Sequence, residues 1–276
     1  MSSPLQPVTA EHRAAYARDG VVCLRGMFAP EWVARMRRLA DTIMGDPGRH
    51  GHLGPSQGED MTSVCFMSRK DAELRDLILN SPAGEISGRV IGSSTIRLYH
   101  DHLFAKPPQS SRIMKWHIDA TAWPVTGEMA PNIWIALSPV TAENGRIEFV
   151  AGYHRHLVDN NILYGYRDGH WDGACPDFET RRGDPSLRFV TWNLEPGDAV
   201  LFHPFTPHFS RGNASIDQPR VALALRLFGD DVCWNPIEGK ARIPDVSPEN
   251  MQPGKSPDGP FFPVLWRDPS AARGAA

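Results

Sequence analysis

Apolar and polar positions change rhythm once along this chain. Before about residue 94 the apolar residues recur three to four apart; after it they fall in short runs split by turn residues. The first rhythm predicts a helix over residues 8–19, stopped by Gly20. It also predicts a helix opened by Pro30, whose ring suits a first helical turn. Val33, Met36, Leu39, Ala40 and Ile43 form its buried stripe, and two more helices follow near residues 72–79 and 83–91. Val21-Val22-Cys23-Leu24 suits a short strand, and the Gly-rich, polar stretch 45–60 reads as a loop. The second rhythm predicts strands over residues 95–106, 113–119, 132–137, 146–150, 187–192, 199–202 and 221–228. Turn chemistry separates them at Lys106-Pro107-Pro108, Glu143-Asn144-Gly145, Glu195-Pro196-Gly197-Asp198 and Gly212-Asn213. Many short strands at this spacing indicate a sandwich, barrel or jelly roll. After Trp234 the chain is rich in Pro, Gly and Asp and reads as an irregular tail on the core. No internal repeat or separating linker is visible, so one domain is expected over 1–276: N-terminal helices to 94, a β core to about 230, then the tail.

Composition narrows the class. A chain of 276 residues with 41% hydrophobic and 22% charged residues is ordinary for a globular protein. Its formal net charge is −3 and no basic stripe appears, so nucleic acid is not an expected partner. No apolar run reaches the length of a membrane span, and Met-Ser-Ser-Pro-Leu-Gln-Pro lacks the features of a secretory signal. A cytoplasmic location is therefore expected. Cys23, Cys65, Cys175 and Cys233 are scattered without a CxxC pair, which argues against a zinc ribbon or redox dithiol and for plain thiols.

The chemistry centres on Trp116-His117-Ile118-Asp119. Residues two apart on a strand share a face, so His117 and Asp119 project together. With one more histidine they form the two-His, one-carboxylate set that suits non-haem Fe(II) and leaves open coordination positions. A second copy of the spacing, His170-Trp171-Asp172, lies between glycines in a polar loop without strand context, and reads as surface. For the distal ligand, His203 and His208 both lie in one short segment, and His154 with His156 is another candidate pair. Spacing alone does not separate them.

Five segments carry a resemblance: Trp116-His117-Ile118-Asp119, Trp134-Ile135-Ala136-Leu137, Glu143-Asn144-Gly145-Arg146, Val150-Ala151-Gly152-Tyr153-His154 and Gly197-Asp198-Ala199-Val200-Leu201-Phe202-His203. In order and spacing they resemble the phytanoyl-CoA dioxygenase (PhyH-like) family over roughly residues 10–230. The resemblance implies a mainly β fold, a double-stranded β-helix (jelly roll) core with N-terminal and flanking helices. It implies an Fe(II)- and 2-oxoglutarate-dependent dioxygenase that consumes O2, oxidises a C–H bond and releases succinate and CO2. It selects His208 as the distal ligand and assigns 2-oxoglutarate contacts to Arg220, Ser210, Lys106 and Trp134. Arg220 lies twelve after His208, and a guanidinium fork pairs a carboxylate through two bonds. Related halogenases carry a small residue at the carboxylate position, so Asp119 favours hydroxylation or another oxidation.

The substrate is less legible. A CoA ester needs a basic patch, and Arg181-Arg182 reads as a solvated loop. A small metabolite, anionic or neutral, is expected, and Arg226 is a candidate to meet an acidic group on it. Strand alternation from Arg220 puts Ala222, Ala224 and Arg226 on one face. A buried arginine needs a partner, either an acidic residue of the protein or an acidic group of the substrate. His100 and His102 share the face of Lys106, and Trp123 follows the metal-ligand segment; each is a candidate pocket residue, with ordinary packing as its alternative. The competing readings of the whole chain are a cupin-like metal enzyme without 2-oxoglutarate, which does not need Arg220 or Ser210, and a non-catalytic β-sandwich ligand-binding protein.

Overall fold

A computed structural model describes residues 2–54, 57–58, 60–159, 175–235 and 243–270. Helix α1 (Ala10–Asp19) is capped by Thr9, whose side chain accepts from the His12 amide. It ends at Gly20, where φ is +69°, a backbone state that favours glycine. Strand β1 (Val21–Leu24) follows, then α2 (Pro30–Gly45), which buries Val33, Met36, Ala40 and Ile43. The chain continues through α3 (Pro47–His50), β2 (His52–Leu53), β3 (Thr62–Cys65), α4 (Ala72–Leu79) and α5 (Ala83–Ile91). Then come β4 (Thr95–Lys106), β5 (Met114–His117), β6 (Val125–Thr126), β7 (Asn132–Ala136), β8 (Ile147–Ala151) and α6 (Tyr153–Asp159). The last strands are β9 (Arg188–Thr191), β10 (Ala199–Phe202), β11 (His208–Ser210), β12 (Arg220–Phe228), β13 (Cys233–Trp234) and β14 (Val264–Arg267).

Among the described residues, the main sheet runs β1-β10-β7-β12-β4-β3-β2 with β14 added on β4, and the smaller sheet runs β5-β11-β8-β9. From β4 to β12 the chain passes repeatedly from one sheet to the other, which winds the strands into the expected double-stranded β-helix. Residue alternation decides what each face meets. Along β12, Val221, Leu223, Leu225 and Leu227 face outward into a cluster with α1, α2, α4 and α5. Each fully buried aliphatic side chain of this kind contributes roughly 1.5–3 kcal/mol. Ala222 and Ala224 face inward, into the cluster between the sheets with Phe104, Trp134, Phe149 and Phe202. The helices therefore cover the back of the main sheet, and its other face looks into the space between the sheets.

Three expectations are corrected. Stretch 45–60 holds α3 and β2 rather than loop alone. The segment before residue 94 supplies β2 and β3 to the main sheet, besides the expected β1 and the helices. Thr62-Ser63-Val64-Cys65 has no apolar run to announce it; it is a strand because it pairs with β4. The tail is not irregular throughout, since β14 pairs with the start of β4.

Candidate metal centre

His117 is the last residue of β5, which ends two residues earlier than expected. Ile118 is still extended (φ −129°, ψ 121°), and Asp119 opens a 3-10 turn over Asp119–Ala122. The Ala120 amide donates to Pro204 O at 3.1 Å, tying this turn to the segment that leads into β11. His208 opens β11 and is the direct cross-strand partner of His117. Their rings lie 4.0 Å apart between centroids. His117 Nε2 is 3.7 Å from Asp119 Oδ1, and His208 Nε2 is 3.9 Å from Asp119 Oδ2. One ligand atom from each residue lies within 4.8 Å of the others, a grouping that no other set of His, Cys, Asp or Glu makes among the described residues.

The donor chemistry fits a metal. His117 Nδ1 pairs with Lys115 O at 2.7 Å and His208 Nδ1 with Thr206 O at 3.1 Å. A carbonyl accepts, so each Nδ1 carries its proton and each Nε2 keeps a free lone pair. Burial pushes His208 down to about 3, helped by His117. Burial works against ionising Asp119, but Arg226, His208 and His117 outweigh it and hold the carboxyl at about 2. Neutral imidazole and ionised carboxylate are the forms that bind metal. Two nitrogens and one oxygen in this arrangement suit Fe(II) with open positions.

A second feature lies deeper between the sheets. Arg220 and Lys106 are cross-strand partners, exposed 2% and 0%. Lys106 Nζ donates to Ser210 Oγ at 3.0 Å and to Arg211 O. The Arg220 guanidinium lies 5.5 Å over the Trp134 ring, and its Nε has no partner among the described residues. Burial lowers Arg220 to about 10; burial, then Arg220, lowers Lys106 to about 6. Two buried basic groups side by side, neither in a salt bridge among the described residues, make a place for an anion, whose charge would favour protonated Lys106. His117, His208, Ser210, Trp134, Arg220 and Arg226 line one cavity, with Met61, Phe104, Met114 and Ile147 as apolar wall.

The other expected residues are placed as follows. Arg226 lines the cavity, 3.6 Å from Asp119 Oδ2, so the structure supplies the protein carboxylate of the two partners considered. His100 is buried, stacked on Phe66 at 4.6 Å. His102 pairs with Ser63 Oγ at 2.7 Å and stacks on Phe104. Trp123 packs edge-to-face on Tyr99, in a separate cluster with Phe228 and Val232. His203 accepts from the Phe205 amide and faces Glu128, next to His154, outside the triad. His170-Asp172 lies outside the described residues. Arg182 is paired with Glu148 and Glu179, and Arg181 with Asp184. One contact was missed: Asn132 Nδ2 donates to Asp119 Oδ2 at 2.7 Å. Its parity with Trp134 was the available signal, since both alternate onto the inner face of β7.

Fold and donor set together define the class of Fe(II)- and 2-oxoglutarate-dependent dioxygenases. The phytanoyl-CoA dioxygenase (PhyH) family model matches residues 16–222, and the chain belongs to that family. Ectoine dioxygenase of Sphingopyxis alaskensis is 23% identical over 227 residues, 75% of this chain and 72% of that one. The 1-deoxypentalenic acid 11-beta-hydroxylase of Streptomyces arenae is 27% identical over 234 residues, covering 76% and 77%. A solved structure of the epimerase SnoN in complex with Fe3+, α-ketoglutarate and nogalamycin RO superposes with a TM-score of 0.74 at 25% identity, covering 93% of this chain and 98% of that one. The chain is thus an enzyme using Fe(II), 2-oxoglutarate and O2. No helix among the described residues is long and apolar enough to cross a membrane.

Proposed function

We propose that His117, Asp119 and His208 hold Fe(II), that Arg220, Lys106 and Ser210 hold the far carboxylate of 2-oxoglutarate, and that the enzyme hydroxylates or otherwise oxidises a C–H bond of a small metabolite. The observation that carries this reading is the proximity of two features, three converging metal donors and the buried basic pair Arg220 and Lys106 without a salt-bridge partner, with His117, His208, Ser210 and Arg220 lining one cavity. When bound, iron with 2-oxoglutarate and O2 supplies the oxidant, and succinate and CO2 leave. The protein's own residues then have separable tasks. The imidazoles and Asp119 fix the metal, with each Nδ1–H anchored on a backbone carbonyl. Arg220 offers a planar fork to a carboxylate, while Lys106 and Ser210 present a donor pair beside it. Trp134 stacks under that fork and keeps its plane.

The apolar wall of Met61, Phe104, Met114 and Ile147 suits a substrate with a hydrocarbon part and excludes water from the reacting bond. An acidic substrate group is not needed to explain Arg226, whose charge is already met by Asp119. The basic dipeptide Arg181-Arg182 is engaged in ion pairs, which favours a free metabolite over a CoA ester. The chain acts as one domain; its four cysteines are free thiols, as suits a reducing cytoplasm. No observation favours a metal enzyme that dispenses with 2-oxoglutarate, because such an enzyme gives Arg220 no task.

The test is anaerobic addition of Fe(II) and 2-oxoglutarate to metal-free protein. A charge-transfer band and, after admission of air, slow succinate release are expected. Both should vanish in His208→Ala and Asp119→Ala. Wild-type protein that binds Fe(II) but no 2-oxoglutarate would overturn the proposal.

A further inference from the structure

A carboxylate ligand has two oxygens, yet a metal that must accept both a keto acid and O2 can take only one of them if three positions are to stay open. In this site distance does not choose. Asp119 Oδ1 lies 3.7 Å from one imidazole and Oδ2 3.9 Å from the other. Hydrogen bonding does. Asn132 of β7 and Arg226 of β12 are direct cross-strand partners, and both alternate onto the inner face of the main sheet. Asn132 Nδ2 donates to Oδ2 at 2.7 Å, and Arg226 Nη2 stands 3.6 Å from that same oxygen. The amide orientation follows from its chemistry: the opposite flip would set two acceptors against each other. Asn132 is 0% exposed and Arg226 7%, so water does not compete for these contacts. The Arg226 guanidinium also lies 5.5 Å over the Phe104 ring, which steadies it.

We infer that Asn132 and Arg226 are positioning residues that hold Oδ2 of Asp119, so that Asp119 reaches the metal through Oδ1 alone. The inference rests on the metal-centre reading above and goes one layer behind it. The Asn132 hydrogen bond and the Arg226 charge beside it both engage Oδ2, on the side that a two-oxygen grip would use. They also stop the carboxylate rotating about its last bond. The three positions opposite the triad are thereby kept for 2-oxoglutarate and O2, before either arrives.

The experiment is a titration of metal-free protein with Co(II), read by its visible absorption and its binding constant, without turnover. Wild type is expected to bind with one spectrum. Arg226→Met and Asn132→Leu are each expected to weaken Co(II) by about 10- to 100-fold and to change the spectrum as coordination changes. Arg226→Lys is expected to recover part of the affinity. The double variant is expected to lose less than the product of the single losses, because both residues act on one oxygen. Leu225→Ala, on the opposite face of β12, serves as the structural control: it should lower thermal stability and leave Co(II) affinity and spectrum unchanged. If Arg226→Met does not fold, Asn132→Leu decides alone. Folded variants that bind Co(II) with wild-type affinity and spectrum overturn the inference while the metal centre stands. Failure of wild type to bind Co(II), or retention of binding in His208→Ala, overturns the metal centre and the inference with it.

Discussion

Replacing Arg220 with Met separates a binding role from a structural one, because the two roles predict shifts of opposite sign. Arg220 is fully buried, has no acidic partner among the described residues, and sits beside Lys106. Burial lowers its guanidinium well below its ordinary value, to about 10. At about 1.4 kcal/mol per pH unit, the folded, ligand-free protein carries a penalty on the order of 3 kcal/mol for keeping that charge. The stacking over Trp134 returns about 1–2 kcal/mol. Met keeps most of the packing volume and removes both effects, leaving a net gain of about 1–2 kcal/mol. For a chain of this size that is a rise in Tm of roughly 2–8 °C. The affinity for 2-oxoglutarate should move the other way. Losing one partner of a buried charge pair costs about 2–5 kcal/mol, or at least ~30-fold in Kd. Differential scanning calorimetry of the ligand-free protein and anaerobic calorimetric titration with 2-oxoglutarate read the two quantities. Saturating 2-oxoglutarate should stabilise wild type by about 2.7 kcal/mol at 100 times its Kd, and the variant hardly at all. A variant with lower Tm and unchanged 2-oxoglutarate affinity would refute the reasoning and make Arg220 a structural residue.

Ser210→Ala removes one acceptor of Lys106 and should weaken 2-oxoglutarate by less than about 10-fold, near 1 kcal/mol; a loss beyond 100-fold in the same titration would show that Ser210 does more than share the carboxylate. Stability should fall with acidification below about pH 6.5. His208 at about 3, His154 at about 4, and His100 and His102 well below 6.5 are all held neutral by burial. Above pH 6.5 these groups are neutral in both states and contribute nothing; below it the unfolded chain takes up protons that the folded chain refuses, so folding loses ground until the folded values are reached. Tm of the metal-free protein measured from pH 7.5 to 5 checks this, and a flat profile contradicts it. Gly20→Ala should destabilise by more than about 2 kcal/mol: φ is +69°, and a Cβ there would stand 2.4 Å from His154 Nδ1 and 2.5 Å from Thr206 Oγ1. Its Co(II) affinity per folded molecule should match wild type; a thermal melt and a Co(II) titration decide.

Alternation along β4, β7 and β12 carried much of the site into view from residue order alone. It put Arg220 on the face of Ala222, Ala224 and Arg226, and Lys106 on that of His102, as the pairing between β12 and β4 bears out. The two-residue spacing of His117 and Asp119 likewise put them side by side, although Asp119 belongs to a turn and not to the strand. Such features are local: backbone geometry sets the direction of each side chain within a few residues. Choosing His208 over His203 was beyond local geometry, and residue order settled it only through likeness to a family. Physically the choice is made by β11 pairing with β5, which sets His208 opposite His117, while His203 is tied to Gly20 O and turns toward Glu128. The same limit hid β3 and β14, whose strand character comes from their neighbours in the sheet. It also hid the shared hold of Asn132 and Arg226 on Asp119, because these residues come from two strands and a turn, and Arg226 lies far along the chain from the other two. The sequence by itself determined which side chains face inward and which chemistry they bring. Only the tertiary structure decided which of them meet, because strand pairing is non-local and periodicity cannot say which strand lies next to which.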